Sequence, residues 1–260
     1  MKKFVISLIN EKQRRSHIVR EFTQKNVEFD FFDAIDCSQI HEQLEKLQLS
    51  KVPTELRPAE IACLLSHLIL IQKCVDENLD YICIFEDDIH LSKDIKQVLE
   101  HGFQQYHIVK LEAFYPKVIV KKAAQSYMGH HALHRLCSKH LGCGGYIVSQ
   151  AGALIILEQI RKAEKLIPID HFIFNYFVQE QRLEVSQILP AVCIQDHILM
   201  HNHENFPSAL EAQRRERKNY QPKQSTKKTL WTKIKNETYR LQEKITLYVL
   251  GKKKVTVKFK

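Results

Sequence analysis

Residues 81–88, Tyr81-Ile82-Cys83-Ile84-Phe85-Glu86-Asp87-Asp88, join five apolar residues to three carboxylates. A greasy strand that stops on acids delivers them to its C-terminal end. Open α/β sheets bind ligands outside the carboxyl ends of their strands. Adjacent carboxylates repel one another, and a cation relieves that repulsion. An all-oxygen donor set suits Mg²⁺ or Mn²⁺, and such an ion also neutralises a diphosphate. Strand alternation puts Glu86 and Asp88 on one face and Asp87 on the other. The plainer reading is a solvated acidic turn capping the next helix. On the triplet alone the two readings weigh equally.

Five other places carry usable chemistry. Arg14, in Lys12-Gln13-Arg14-Arg15, follows the first apolar run and suits phosphate or ribose oxygens; a solvated helix face is the blander account. Ser66-His67 lies within a long apolar helical pattern, where a lone His is more often a core or supporting residue. Asp170, in Pro168-Ile169-Asp170, opens a helix, either as a cap or as a general base facing a pocket. His197, His201 and His203 match no zinc spacing, although one could supply a nitrogen ligand. Cys143 in Gly142-Cys143-Gly144-Gly145 is more simply a small residue on a glycine-rich turn than a nucleophile.

The elements that must position these groups alternate. Phe4–Leu8 reads as a buried strand, 11–25 as a helix, and Glu28–Phe32 as a second strand leading to Asp33 and Ala34. That β-α-β opening points to a parallel sheet flanked by helices. Pro58, favoured in a first helical turn, opens a helix to Glu77 with Ile61, Leu64, Leu65, Leu68, Ile71 and Val75 on its core face. Further strands are expected at 81–85, 108–111 and 189–192, a turn followed by a strand at 142–149, and helices at 150–164 and 171–180. Residues 116–140 read as irregular and basic.

Composition narrows the class. The chain has 260 residues, 44% apolar and 27% charged, enough for one or two domains with a sizeable core. Seven scattered cysteines with no CxxC pair argue against a zinc ribbon and for reduced thiols in a cytosolic compartment. Neither GxGxxG after a strand, GxxxxGK[ST] nor GxSxG occurs, so dinucleotide, P-loop and α/β-hydrolase chemistry lose support. No segment is expected to reach the ~18–20 apolar residues of a bilayer span. The net charge of +9 is uneven: residues 208–260 carry 16 basic and 4 acidic side chains, leaving 23 basic and 26 acidic in the rest. A nucleic-acid-binding domain would be basic in its body, so no nucleic-acid partner is expected.

Taken together, Phe4–Leu8 with Arg14-Arg15, Phe29–Ala34, Ala59–His67, Ile84–Asp88, Ile108–Glu112, Gly142–Ser149, Pro168–Asp170 and Pro190–Gln195 resemble glycosyltransferase family 25, the bacterial lipooligosaccharide galactosyltransferases. The resemblance covers about residues 1–210. It implies a GT-A-like α/β catalytic domain over 1–210 and an inverting transfer of a hexose, galactose before glucose, from a UDP-sugar to a lipooligosaccharide core. It implies Mn²⁺ or Mg²⁺ held by Glu86 and Asp88, with Asp87 in support. Asp170 is the first choice of base and Glu112 the second. Ser7, Leu8, Arg14, Asp33, Ala34, Glu60, Ser66, His67, Gly145 and Tyr146 match family positions around the donor. Cys143-Gly144 replaces the commoner Thr-Ala of the family, and 116–140 is shorter than in galactosyltransferases of this type.

Residues 211–260 form the basic tail. Leu230, Trp231, Ile234, Leu241, Ile245 and Tyr248 recur at helical intervals among lysines and arginines, a pattern suited to an anionic membrane surface. The expectation is a cytoplasmic enzyme, peripheral at the inner face of the inner membrane, acting on a lipid-linked acceptor. The alternatives are a tail that packs on the body, a nucleic-acid-binding protein using the tail, a nucleotidyltransferase, and an inactive glycan-binding relative.

Overall fold

The computed structural model describes residues 1–103, 106–202, 205–206 and 242–260. Its centre is an eight-stranded mixed sheet. The strands are β1 (Lys2–Ser7), β2 (Asp30–Asp33), β3 (Tyr81–Glu86), β5 (Ile108–Lys110), β8 (Gln125–Ser126), β9 (Ala132–Arg135), β10 (Gly145–Ser149) and β11 (Val185–Leu189), in spatial order β2-β1-β3-β10-β5-β11-β9-β8. β1 lies parallel between β2 and β3, whereas β10 runs antiparallel between β3 and β5. A small sheet joins β4 (Ile89–Leu91), β12 (Cys193–Gln195) and β6 (Glu112–Ala113). A two-stranded ladder pairs β7 (Lys117–Lys121) with β13 (Lys252–Thr256).

The central strands are apolar on both faces because helices cover both. Phe4, Ile6, Ile82, Ile84, Tyr146 and Val148 pack on one side, beneath α3 (Pro58–Asp76) and α5 (Gln150–Arg161). Val5, Cys83, Phe85 and Ile147 point to the other, against α1 (Lys12–Gln24) and α4 (Ile95–Glu100). This is the period-2 alternation of a strand buried on both faces. α1 docks through Ile18 and Phe22, one turn apart and fully buried. α3 starts with Pro58 at its first position, and the Glu60 carboxylate accepts the Arg57 N–H at 3.1 Å. Between these helices in the chain, α2 (Ile40–Lys46) packs against α3, with Ile40 and Leu44 turned to the core. A helical stretch continues through α6 (Ile169–His171), a π turn (Phe172–Tyr176) and α7 (Phe177–Glu180); α8 (Asp196–Leu199) follows β12.

Four expectations change. Residues 116–140 are not irregular: they form β7, β8 and β9. In β7, buried Val118 and Val120 alternate with the more exposed Lys117, Ile119 and Lys121, so the basic composition hides a two-sided strand. The strand expected at 189–192 falls instead on the break between two strands, because Pro190 lacks an N–H for the ladder; β11 ends at Leu189 and pairing resumes in the small sheet at Cys193. α3 does reach the length and apolarity of a bilayer span, yet ten of its residues are buried in the protein. Finally, residues 252–260 return to the body: β13 completes a ladder with β7, Val257 is buried and Phe259 bridges to Ala191. Most of the expected tail helix, including Trp231, lies outside the described residues; within them 242–249 is helical. All seven cysteines are free.

Candidate active site

β1 and β3 run parallel, with Ile6 beside Glu86. Their C-terminal ends open together into a cleft of about 500 Å³. The three carboxylates divide as alternation requires. Asp87 turns towards β1 and α1: Ser7 Oγ donates to its Oδ2 at 2.6 Å, and Arg14 Nη1 donates to its Oδ1 at 2.6 Å. Glu86 and Asp88 share the opposite side. There the Gln195 amide of β12 donates to Glu86 Oε2 at 2.6 Å and lies 3.4 Å from Asp88 Oδ1. The backbone of the triplet is pinned as well. Glu86 N–H donates to the Gly144 carbonyl at 3.2 Å, and Asp196 N–H to the Asp88 carbonyl at 2.7 Å. Asp196 is itself held by His90 at 2.8 Å.

Burial, followed by the charges of Asp170 and Asp87, raises the Glu86 carboxyl well above the usual range. Burial, followed by the charge of Glu86, does the same to Asp88. Arg14 gives its short contact to Asp87 and stays 3.6 Å from Asp88. Glu86 and Asp88 thus form an oxygen-only donor pair whose negative charge the surrounding protein disfavours. That donor chemistry fits Mg²⁺ or Mn²⁺.

His67 stands on α3 behind this pair. Its burial lowers its pKa to about 4, so the ring is neutral near pH 7. Nδ1 meets the Tyr146 hydroxyl at 2.8 Å and Nε2 faces Glu86 Oε1 at 3.6 Å. Ser66 accepts the Ile35 N–H at 2.9 Å and donates to the Ala62 carbonyl at 2.8 Å, tying the segment after β2 to α3. Asp170 forms part of the cleft wall. Its carboxylate accepts the His171 N–H at 2.9 Å and the Gly142 N–H at 3.3 Å, which fixes the direction of its remaining lone pairs.

Ser7, Leu8, Arg14, Ala34, Glu60, Ser66, His67, Glu86, Asp87, Asp88 and Asp170 all line the cleft. Four expected residues do not. Asp33 is exposed and pairs with Arg15. Tyr146 is fully buried and serves as the partner of His67. Gly145 packs edge-on: a Cβ there would lie 2.4 Å from Cys193 Sγ. Glu112 is sealed off, with no exposed surface, in an ion pair with equally buried Lys110 at 2.9 Å. A carboxylate in that position does not reach an acceptor in the cleft, so the second-choice base is a structural group.

The Gly142-Cys143-Gly144 turn explains why Glu112 is enclosed. It wraps the carboxylate so tightly that a Cβ on Gly142 or Gly144 would meet a Glu112 oxygen at 2.8 Å. Gly144 N–H and Lys110 Nζ both donate to Glu112 Oε2, and Lys110 also donates to the Gly142 carbonyl. Cys143 is buried, and burial raises its thiol pKa; it behaves as the small turn residue rather than a nucleophile.

Gln195, Phe114 and Phe206, which carry no sequence signal of their own, also line the cleft, as does His197, one of the three histidines considered as a nitrogen ligand. Gln195 closes the Pro190–Gln195 stretch, but only the β12 pairing brings its amide to Glu86. The Phe206 carbonyl accepts a hydrogen bond from Arg14 Nη2 at 3.1 Å.

The chain is 34% identical over 211 residues to the lacto-N-neotetraose biosynthesis glycosyltransferase LgtE of Neisseria meningitidis serogroup B, covering 75% of this chain and 74% of that one. It is 34% identical over 240 residues to the lipooligosaccharide biosynthesis protein lic2B of Haemophilus influenzae, covering 87% and 88%. Among solved structures, a glycosyltransferase involved in glycosylation of the major capsid of PBCV-1 superposes with a TM-score of 0.41 at 8% identity, covering 75% of this chain and 92% of that one. Residues 1–173 match the model of glycosyltransferase family 25 (LPS biosynthesis protein), and the chain belongs to that family of glycosyltransferases.

Proposed function

We propose that the protein is an inverting, metal-dependent hexosyltransferase that moves galactose, or failing that glucose, from a UDP-sugar to a lipooligosaccharide core. The observation that carries this reading is the Glu86/Asp88 pair at the mouth of β3, with Asp170 on the same cleft. Glu86 and Asp88 would hold Mn²⁺ or Mg²⁺. When bound, the cation takes up the negative charge that develops on the departing diphosphate. Ser7 and Arg14 orient Asp87 and border the donor. Asp170 takes the proton of the acceptor hydroxyl while that oxygen bonds to the anomeric carbon. The bond from the same carbon to the UDP oxygen breaks on the opposite side, so configuration inverts.

The test is UDP release from a panel of UDP-sugars, with and without Mn²⁺, beside Asp88→Ala. Slow donor hydrolysis needs no acceptor. Metal-dependent release from one sugar, lost in the variant, is expected. Absence of both release and UDP binding in the presence of Mn²⁺ would overturn the reading.

The same proposal includes contact with an anionic membrane surface. Ile245, Tyr248, Val249 and Leu250 are exposed by 51–76%, beside Lys252 and Lys253. Truncation near residue 220 would remove β13, so substitution is the cleaner probe. Ile245→Glu with Val249→Glu is expected to weaken co-sedimentation with phosphatidylglycerol vesicles. Equal sedimentation of variant and parent would remove this part of the proposal.

A further inference from the structure

On the far side of the sheet from α3, the turn before β9 meets the start of α4. The turn closes through the His131 N–H to the Met128 carbonyl at 2.8 Å, with Gly129 at φ 55°. It places His130 and His131 against Asp94. The His131 side chain has no exposed surface. Its Nδ1 meets the Pro190 carbonyl at 3.1 Å. A carbonyl only accepts, so Nδ1 carries the proton and a neutral ring leaves Nε2 with a bare lone pair. That lone pair faces Asp94 Oδ2 at 3.4 Å. Both atoms are buried and neither has a hydrogen-bond partner. His130 Nε2, on a half-exposed ring, stands 3.6 Å from the same oxygen.

Two acceptors aimed at each other in a buried place need something positive between them. A doubly protonated His131 would supply a proton, but a charge-assisted N–H···O⁻ bond closes to about 2.7–2.9 Å. The two separations to Asp94 Oδ2 are longer and suit a different geometry, with all three atoms within 4.8 Å of one another. Ligands about 2.0–2.1 Å from a tetrahedral Zn²⁺ lie roughly 3.3 Å apart. The donation of Nδ1–H to a backbone carbonyl is the usual way a ligating imidazole is oriented. We propose that Asp94 Oδ2, His130 Nε2 and His131 Nε2 form a site for a transition-metal ion of the Zn²⁺ class. The half-exposed side of His130 leaves the fourth position to water. Two imidazoles and one carboxylate favour this class over the Mg²⁺ or Mn²⁺ suited to an all-carboxylate site. The ion would clip the turn before β9 to the start of α4, away from the transfer chemistry.

The experiment uses the full chain and Co²⁺ as a spectroscopic probe, with Zn²⁺ competition. Among the described residues two other side-chain groups have metal-like spacing, Cys63/His67/Glu86 and His17/Glu21/His90, so location must be read from variants. His130→Ala alters a half-exposed residue and keeps the fold testable by circular dichroism; Asp94→Asn and His131→Gln complete the set. The expected result is one equivalent of Co²⁺ with a tetrahedral visible spectrum, displaced by Zn²⁺. Affinity should fall at least about tenfold in each folded variant and persist in Glu86→Gln/Asp88→Asn. Absence of such a spectrum in the parent, or its persistence unchanged in His130→Ala, would overturn the site.

Discussion

At the scale of single residues, two carboxylates that look alike in the sequence have opposite surroundings. Asp170 lines the cleft, whereas Glu112 is enclosed with Lys110. Asp170→Asn is expected to lower kcat by about 10²–10⁴-fold, the usual contribution of a general base, while UDP and Mn²⁺ titrations stay near the parent values. Loss of UDP binding together with rate would instead make Asp170 a donor-site residue. Glu112→Gln should act on stability, because it strands a fully buried ammonium. Breaking such a pair costs about 3–5 kcal/mol, measurable by urea unfolding; a shift below ~1 kcal/mol would mean that Lys110 finds another anion. The acidic triplet was legible because its three members are adjacent and end an apolar run. Lys110, Glu112 and Gln195 were not, since their roles arise only when β5, β6 and β12 are brought together.

At the scale of elements, the site depends on how closely β10 approaches its neighbours. Gly145 lies opposite Phe85 in the ladder, and its missing Cβ leaves room for Cys193 Sγ from the small sheet. Through this contact β12 sits low enough for Gln195 to reach Glu86. Gly145→Ala is therefore expected to destabilise by about 1–3 kcal/mol through overpacking and to weaken Mn²⁺ binding as Gln195 shifts. Adding Cys193→Ala should recover part of both, since the sulfur is the nearest obstruction. A double variant no better than the single one would assign the strain to Phe85 instead. β1, α1, α3 and β3 were readable because each carries a clean apolar period. β7 and β9 were hidden by basic and histidine-rich sequence, and the break at Pro190 required knowing that β11 and β12 belong to different sheets.

At the scale of the whole molecule, the charge pattern separates a near-neutral body from a basic C-terminal stretch, and the sequence showed that division without showing that residues 252–260 return to the body and pair with β7. The carboxylate pair makes a global prediction as well. Glu86 and Asp88 have folded pKa values raised above their unfolded ones. The folded chain then holds more protons than the unfolded chain between the ordinary carboxylate range and neutrality. Stability from this source is full below the unfolded pKa values and falls as pH rises through the folded ones. Buried His17, His67, His134 and His140 have lowered pKa values and act oppositely, adding stability as pH rises towards about 6.5. The raw pH curve mixes the two, so the comparison must be with Glu86→Gln/Asp88→Asn, which imitates the protonated pair. In chelator, the double variant should differ least from the parent at the lowest pH at which both stay folded, and its advantage in melting temperature should grow as pH rises towards 7.5. Mn²⁺ should raise the parent at pH 7.5 and leave the variant unchanged, because only the parent offers charged oxygen ligands. A difference that stays constant with pH, or an equal Mn²⁺ effect on both proteins, would show that the charge of this pair is balanced by the protein itself and not by a cation.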